Sequence, residues 1–448
     1  MKRGETLTDK KIAVLAGLFI FIWAYPIWAS EENQSAVTRI EIPSSFNPVG
    51  SGARAMGMGG AFIAVADDAT AASWNPGGLV QLRLPEFSIV TSGIHRKEDI
   101  DFEINHESAG SHSISETNIN YLSATYPFGF FRRNMIVSLS WQRLYDFTRR
   151  WDFFLERPEL NAEDHWDYEE SGSLSALGLA LGVQIVPQLS LGFTLNLWDD
   201  DLTGNKWEKQ YRQTRLSNMG APPARFDKEE TYSFSGINAN IGVLWRINHR
   251  MTLGAVLKTP FKADIRREVR ETQTYEIPPE PVSISESSVK DEEIEMPMSY
   301  GIGLAYKFSD HFLMSADFYR TEWDDFVYKY ENGEERNPVS AEYSDQSDVS
   351  PTHQVRVGAE YRFMNPAKGY VIPLRAGLFY DPAPARENPD DFYGFSLGLG
   401  FTGNDRFSLD MAYQYRTGSD VGTSVMETLG FSQDTREHTI YLSFILYL

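Results

Sequence analysis

Few residues in this 448-residue chain are placed to do chemistry. Eight histidines lie at 95, 106, 112, 165, 249, 311, 353 and 438, scattered along the sequence. His-Glu-x-x-His does not occur, and the G-x-S-x-G at Gly394-Phe395-Ser396-Leu397-Gly398 falls inside an alternating strand run, where it makes no nucleophile elbow. Cysteine is absent, which removes thiol catalysis, iron–sulfur clusters and thiolate zinc sites. The chain is therefore not read as an enzyme, and neither a cofactor nor a metal is expected.

Two other groups could carry function. Gly57-Met58-Gly59-Gly60 has the composition of a phosphate loop, but no Gly-Lys-Ser/Thr follows and no strand leads in. The run from Ser45 to Leu79 is instead rich in small residues and largely uncharged. Within it, Asp67-Asp68-Ala69 ahead of Trp74-Asn75-Pro76 suggests a short helix ended by a turn. Such a compact apolar segment suits the inside of a closed sheet, as a plug. Farther on, Arg356, Glu360, Arg362 and Arg375 fall on polar strand faces. Arg356 or Arg375 could pair with a substrate carboxylate; alternatively, these charges form a salt-bridge network that holds the plug.

The elements that must position these groups are strands. Ile237, Ala239, Ile241, Val243 and Trp245 alternate with Asn238, Asn240, Gly242 and Leu244, a period of two. Tyr393–Phe401, Phe407–Tyr415 and Val355–Phe363 repeat the pattern. The expected strands are 86–95, 118–128, 133–144, 172–186, 188–199, 234–247, 249–260, 296–308, 311–320, 352–364, 370–380, 391–403, 406–416 and 437–447. Short turns near 131, 187, 248, 309, 366 and 404 alternate with long polar segments, read as solvated loops, at 96–117, 145–171, 200–233, 261–295, 321–351, 381–390 and 417–436. Alternation alone fits a soluble sandwich as well. Segregation of short and long connections fits a transmembrane β-barrel, with both termini on the short-turn side. Aromatic residues near strand ends, among them Phe308, Tyr361, Phe363, Tyr393 and Phe401, match interfacial girdles.

Composition agrees. The 41 basic and 62 acidic residues give a net charge of -21, which opposes nucleic-acid binding. Aromatics at 13% are too many for an acidic disordered chain. Lys2, Arg3, Lys10 and Lys11 precede an apolar stretch from Ile12 to Ala29. Residues 1–29 thus read as a secretory signal peptide, and zero cysteine suits export. Beyond Ala29 no window is long and apolar enough for a transmembrane helix. The division expected is a signal peptide at 1–29, an N-terminal hatch at 30–85, and a barrel of about 14 antiparallel strands at 86–448. The apolar ending Tyr447-Leu448 suits a closing strand.

In these features the chain resembles the FadL-type family of outer-membrane transporters for hydrophobic compounds. The resemblance rests first on Gly57 to Gly60, Asp67-Asp68-Ala69-Thr70 and Trp74-Asn75-Pro76, with a departure at Gly77 where the family usually has Ala. It continues through Met296-Pro297, Tyr300-Gly301-Ile302-Gly303, Asp317 and Thr321-Glu322-Trp323-Asp324-Asp325-Phe326. Arg356–Tyr361, Leu374–Gly377 and Tyr380–Pro384 extend it toward the C-terminus. The resemblance implies a monomeric fourteen-stranded barrel and a lumen plug. Gly57, Gly59, Gly60, Asp67, Asp68, Trp74, Asn75 and Pro76 are then the hatch and gating residues. It also implies a sideways exit beside a kinked third strand, although Met135–Leu144 has no proline or glycine to mark a kink.

The function expected is passive uptake of a hydrophobic small molecule, a long-chain fatty acid or an aromatic hydrocarbon, across a Gram-negative-type outer membrane. Arg356 and Arg375 are the candidate substrate-binding residues. Outer-membrane lipid and lipopolysaccharide are the expected surroundings, and no nucleic acid is a partner. The alternative is an accessory barrel that docks secreted or periplasmic proteins, a role some relatives of the same architecture have.

Overall fold

A strand in hydrocarbon must hand each backbone N–H and C=O to a neighbouring strand, because no water is there to take them. The computed structural model shows how this chain does so. It describes residues 50–103, 105–403, 406–423, 425–426 and 429–448. The expected signal peptide at 1–29 and the segment 30–49 lie outside the described residues.

Among the described residues twenty strands follow one another. The first are β1 (Glu86–Phe102), β2 (Gly110–Phe130), β3 (Arg133–Asp146), β4 (Arg149–Arg157), β5 (Ala162–Val186), β6 (Leu189–Trp198) and β7 (Lys206–Ser217). Next come β8 (Ala224–Arg246), β9 (Met251–Lys258), β10 (Phe261–Tyr275), β11 (Val282–Met296), β12 (Ser299–Lys307), β13 (Phe312–Thr321) and β14 (Val327–Lys329). The last are β15 (Glu335–Arg336), β16 (Thr352–Asn365), β17 (Tyr370–Tyr380), β18 (Tyr393–Gly403), β19 (Phe407–Val421) and β20 (Phe431–Tyr447).

Fourteen of them wrap into a closed antiparallel barrel in the order β1, β2, β3, β5, β6, β8, β9, β12, β13, β16, β17, β18, β19, β20. The ring closes where β20 pairs with β1 from Glu86↔Tyr447 to Phe102↔Phe431. These are the fourteen segments that alternation marked. Their apolar faces are the exposed ones: Leu179, Phe193, Ile241, Leu304, Leu378, Leu399 and Leu442 all lie open on the outside. A soluble sandwich would bury this face, so exposure decides for a barrel in lipid. Phe308, Tyr361, Phe363 and Phe401 are exposed near the short-turn end and Tyr393 near the other, as interfacial girdles require.

The long connections differ from the expectation of solvated loops. β4, β7, β10, β11, β14 and β15 stand in those segments: β4, β7 and β10 pair with extensions of β5 and β8, and β11, β14 and β15 continue the ladder from β10, raising a sheet beyond the barrel. Two aromatic cores fill it. One gathers Phe147, Trp198, Trp207, Tyr232, Phe234, Trp323 and Phe326; the other gathers Phe102, Trp151, Phe153, Trp166, Tyr211 and Phe431. Asp164 and Glu170, read as solvent-facing, are buried. Asp164 pairs with Arg215 at 2.6 Å, and Glu170 pairs with Lys209 at 3.6 Å.

One strand shows why. Along β5 the even-numbered residues face inward throughout, from Asp164 and Trp166 to Gly178, Ala180 and Gly182. The outward series runs Glu163, His165, Asp167, Glu169, Ser171, Ser173 and then, after the covered Ser175, Leu177, Leu179, Leu181 and Val183. Polarity is therefore inverted across a waterline near Ser173: below it apolar side chains face lipid, above it they face the core. β8 does the same, with Glu229, Thr231, Ser233 and Ser235 giving way to Ile237, Ala239 and Ile241.

This placement predicts unequal costs for one substitution. Leu179→Arg should destabilise the barrel by about 2–4 kcal/mol, the range for arginine on a lipid face near mid-membrane. Glu169→Arg, on the same face above the waterline, should stay within about 0.5 kcal/mol of wild type. Urea unfolding out of lipid vesicles measures both.

Candidate functional site

The inner faces of the barrel strands are built of small residues, and residues 50–82 occupy the space left. This segment carries α1 (Ala53–Gly57), α2 (Ala71–Trp74) and a tight 3₁₀ turn at Pro76–Gln81. Gly182, Gly192, Gly242, Gly254, Gly303, Gly358, Gly377 and Gly398 line the wall against it. A Cβ at any of them would overlap or crowd atoms of the segment. The closest approaches are backbone to backbone, Gly192 against Pro76 and Gly377 against Met58 and Gly59, where Gly59 adopts φ +68°.

Polar groups fasten the segment around the circumference. Ala53 N donates to Ser443 Oγ at 2.7 Å, and Gly59 N to Ser396 Oγ at 2.8 Å. Asp317 accepts from the backbone of Phe62 and Ile63 at 2.6 and 2.8 Å. Thr194 and Ser190 donate to the carbonyls of Ala72 and Gly77 at 3.2 and 2.7 Å. Tyr121 donates to Ala69 O at 3.1 Å. The plug thus touches strands on every side.

The residues singled out in the sequence fall into three places. Gly57, Gly59 and Gly60 form the close approach to β16, β17 and β18. Trp74 is buried, donates its indole N–H to Ser51 O at 2.6 Å and meets Phe62 edge-on at 5.9 Å. Asn75, fully buried, joins three backbones. Its Nδ2 donates to Ile63 O at 2.8 Å and to Val243 O of β8 at 2.9 Å, and its Oδ1 accepts from Gly77 N at 3.0 Å. Pro76 opens the 3₁₀ turn, where a missing N–H costs nothing. Asp68 accepts from Thr70 N and Oγ1 at 2.9 and 2.6 Å. Burial pushes its carboxyl above the ordinary carboxylate range, while the Arg54 guanidinium and the Thr70 hydroxyl pull the other way.

Asp67 belongs to a charged clasp that sequence reading did not complete. Arg54 bonds Asp67 at 2.5 Å and Glu360 of β16 at 3.0 Å. Glu360 also takes Arg375 at 2.7 Å and Arg362 at 2.6 Å, and Arg375 reaches Asp410 at 2.6 Å. Arg375 is therefore spent inside this plug-to-wall network. Arg356 is placed differently. It donates to Gly59 O at 3.3 Å and to Gln354 at 3.0 Å, lies 3.6 Å from Asp381, and lines open space.

That space is a cavity of about 130 Å³ above the plug, walled by Trp74, Asn120, Gln142, Arg143, Tyr145, Arg356, Phe379, Asp381, Arg416 and Tyr441, among others. A second cavity of about 50 Å³ shares Gln142, Leu144 and Tyr145 with it and adds Trp198, Phe261, Met296, Pro297 and Trp323. This mouth, with Asn196, Asn238 and Asn240 beside its apolar residues, was missed as a site. Its signal was present, because Met296-Pro297 and Trp323 belong to the family-like motifs, but no role followed from the motifs themselves.

The wall beside the larger cavity is incomplete. The β2–β3 ladder ends at Tyr121↔Gln142, and the β3–β5 register shifts between Arg143 and Tyr145. Side chains cross the divergence: Arg143 donates to Asn118 Oδ1 at 2.8 Å. The irregularity in the third strand needs neither proline nor glycine, since it is a bulge at Leu144.

The closed fourteen-strand barrel with a segment in its lumen agrees with a family profile. The profile described as "Outer membrane protein transport protein (OMPP1/FadL/TodX)" matches residues 45–437. The chain belongs to this family. As a FadL/TodX-family barrel it lies in the outer membrane, with its short turns on the periplasmic side and the raised sheet outside the cell. Solved structures agree in fold. A FadL homologue of Pseudomonas aeruginosa is 13% identical with a TM-score of 0.63, over 90% of this chain and 100% of that one. The Pseudomonas putida toluene transporter TodX is 14% identical with a TM-score of 0.57, over 90% and 99%. The Ralstonia pickettii toluene transporter TbuX is 13% identical with a TM-score of 0.51, over 90% and 100%. Curated proteins give no match.

Replacing Asn75 tests the plug's attachment. Asn75→Ala removes three hydrogen bonds, and each buried group left unpaired costs about 1–3 kcal/mol. The barrel should still fold, while single-channel conductance in planar bilayers rises above wild type as the plug loosens. Unchanged conductance would show that the remaining fastenings hold the plug without Asn75.

Proposed function

We propose that this barrel takes up a hydrophobic small molecule, an aromatic hydrocarbon or a long-chain fatty acid. The observation that carries the reading is a mouth in which Trp198, Phe261, Met296 and Trp323 give an apolar surface and Asn196, Asn238 and Asn240 a polar one, set beside a cavity whose floor is the plug. An aromatic ring buries roughly 150–250 Å². At about 25 cal/mol per Å² that is about 4–6 kcal/mol, enough to capture a greasy solute and weak enough to release it. The larger cavity is close in size to the roughly 150 Å³ apolar cavity that admits benzene. A single ring fits one chamber; an alkyl chain needs both in line.

Each part then has a task. The mouth captures, the cavity holds, and the segment around Gly57, Gly59, Gly60, Asp67, Asp68, Trp74, Asn75 and Pro76 acts as the hatch. Release runs either past a displaced hatch or sideways through the divergence of β2 and β3, which the family resemblance favours. Arg356, lining the cavity, is the residue to meet a substrate carboxylate, while Arg375 holds the hatch clasp. No bond is made or broken, so the protein is a conduit and not an enzyme. It works as a monomer surrounded by outer-membrane lipid and lipopolysaccharide.

Uptake into liposomes of labelled toluene and oleate, wild type against Arg356→Gln, tests this. Wild type should exceed an unrelated barrel for at least one ligand. Arg356→Gln should slow oleate several-fold and leave toluene unchanged, since only oleate carries a charge to pair. No uptake of either ligand by folded protein would overturn the reading and favour the protein-docking role.

A further inference from the structure

Barrel closure brings together two histidines from opposite ends of the chain. His95 of β1 is the direct register partner of His438 of β20. Both side chains are exposed on the outer wall, and their ring centres are 6.3 Å apart. They sit toward the extracellular side, above Ile440 and Leu442, which are exposed on the lipid face of the same strand.

Each ring is oriented from behind by one nitrogen. His95 Nδ1 lies 2.8 Å from Ser115 Oγ on β2. His438 Nδ1 lies 2.8 Å from the Tyr413 hydroxyl on β19. A hydroxyl oxygen can accept the imidazole N–H, and a neutral ring protonated at Nδ1 presents its lone pair at Nε2. This is the arrangement that second partners impose on metal-binding imidazoles.

We propose that His95 and His438 form a two-imidazole site for a divalent transition cation, copper(II) or zinc, on the outer wall of the barrel. A metal lies about 2.0–2.1 Å from a ligating nitrogen, hence about 3 Å from the ring centre. Two rings whose centres are 6.3 Å apart can share one ion after a small rotation of exposed side chains. Imidazole suits these metals, and copper(II) leads the affinity order. The basic pair one step above does not oppose it strongly: Lys97 and Arg436 are both held by Asp99, at 2.8 and 3.2 Å. The same pairing argues against a phosphate site there. The chain's net charge of -21 also favours cations over anions near the wall. Water fills the remaining coordination positions.

The test is copper(II) titration of untagged, folded protein in detergent, followed by electron paramagnetic resonance. One ion per chain with hyperfine coupling from two nitrogens is expected. His95→Asn and His438→Asn should each remove one nitrogen coupling and weaken binding by more than about a hundredfold, while His106→Asn changes neither. Tyr413→Phe, which keeps both ligands and removes one orienting hydroxyl, should weaken binding about tenfold, the low end for a second partner. Retention of heat-modifiable gel mobility certifies folding in each variant. A wild-type spectrum without two-nitrogen coupling, or one that survives in both histidine variants, would overturn the proposal.

Discussion

Everything in this molecule hangs on one seam. β1 and β20 pair along the whole of β1, from Glu86↔Tyr447 to Phe102↔Phe431, and that ladder turns an open sheet into a ring. Without it two edges would stand in hydrocarbon with their amides unpaired, at several kcal/mol for each group. The seam also fixes the circumference. Fourteen strands enclose more room than inward-pointing side chains fill, so the chain must supply its own filling. It does so with the segment that precedes the first strand.

Filling a barrel with a peptide backbone constrains the wall as much as the plug. The wall has glycine where the plug comes nearest, at Gly192 and Gly242 against Pro76 and Gly77, and at Gly358 and Gly377 against Met58 and Gly59. A set of serines, with Asp317, accepts or donates where the plug's backbone would otherwise lack partners. The contacts are numerous and individually modest, apart from the Arg54–Glu360–Arg375–Asp410 chain of charges. A fit of this kind holds firmly yet can be released piece by piece.

Much of this was legible in the sequence. Period-two alternation placed all fourteen barrel strands, because lipid on one side and a small-residue lumen on the other leave a strong signal over eight to ten residues. The plug was legible as a run of small residues with Trp74-Asn75-Pro76 at its end. What was not legible depended on a change of solvent or on distant pairing. Glu163, His165, Asp167 and Glu169 look like loop, but they are the wet face of a strand whose dry face is Trp166 and its neighbours. Asp164 and Glu170 look like the same acidic run and are buried because their parity differs by one. The partnership of His95 with His438 could not be read at all, since it exists only once the ring is closed in a particular register.

The unbroken parity of β5 and β8 across the waterline carries a rule for how such a protein can change. From Gly182 of β5 and Leu244 of β8 to its outermost residue each strand keeps one face inward, so lipid belt, plug wall and aromatic core share a single phase. A lone codon inserted near Ser173 would throw everything beyond it onto the opposite face. Ion pairs would turn outward, carboxylates inward, and the outer cores would empty. Lengthening or shortening between the waterline and the outer cores is therefore tolerated in pairs of residues, or as bulges that absorb the odd one. Sequence drift in the exposed half should carry that signature: even-numbered length differences within strands, and free variation only at the hairpin tips.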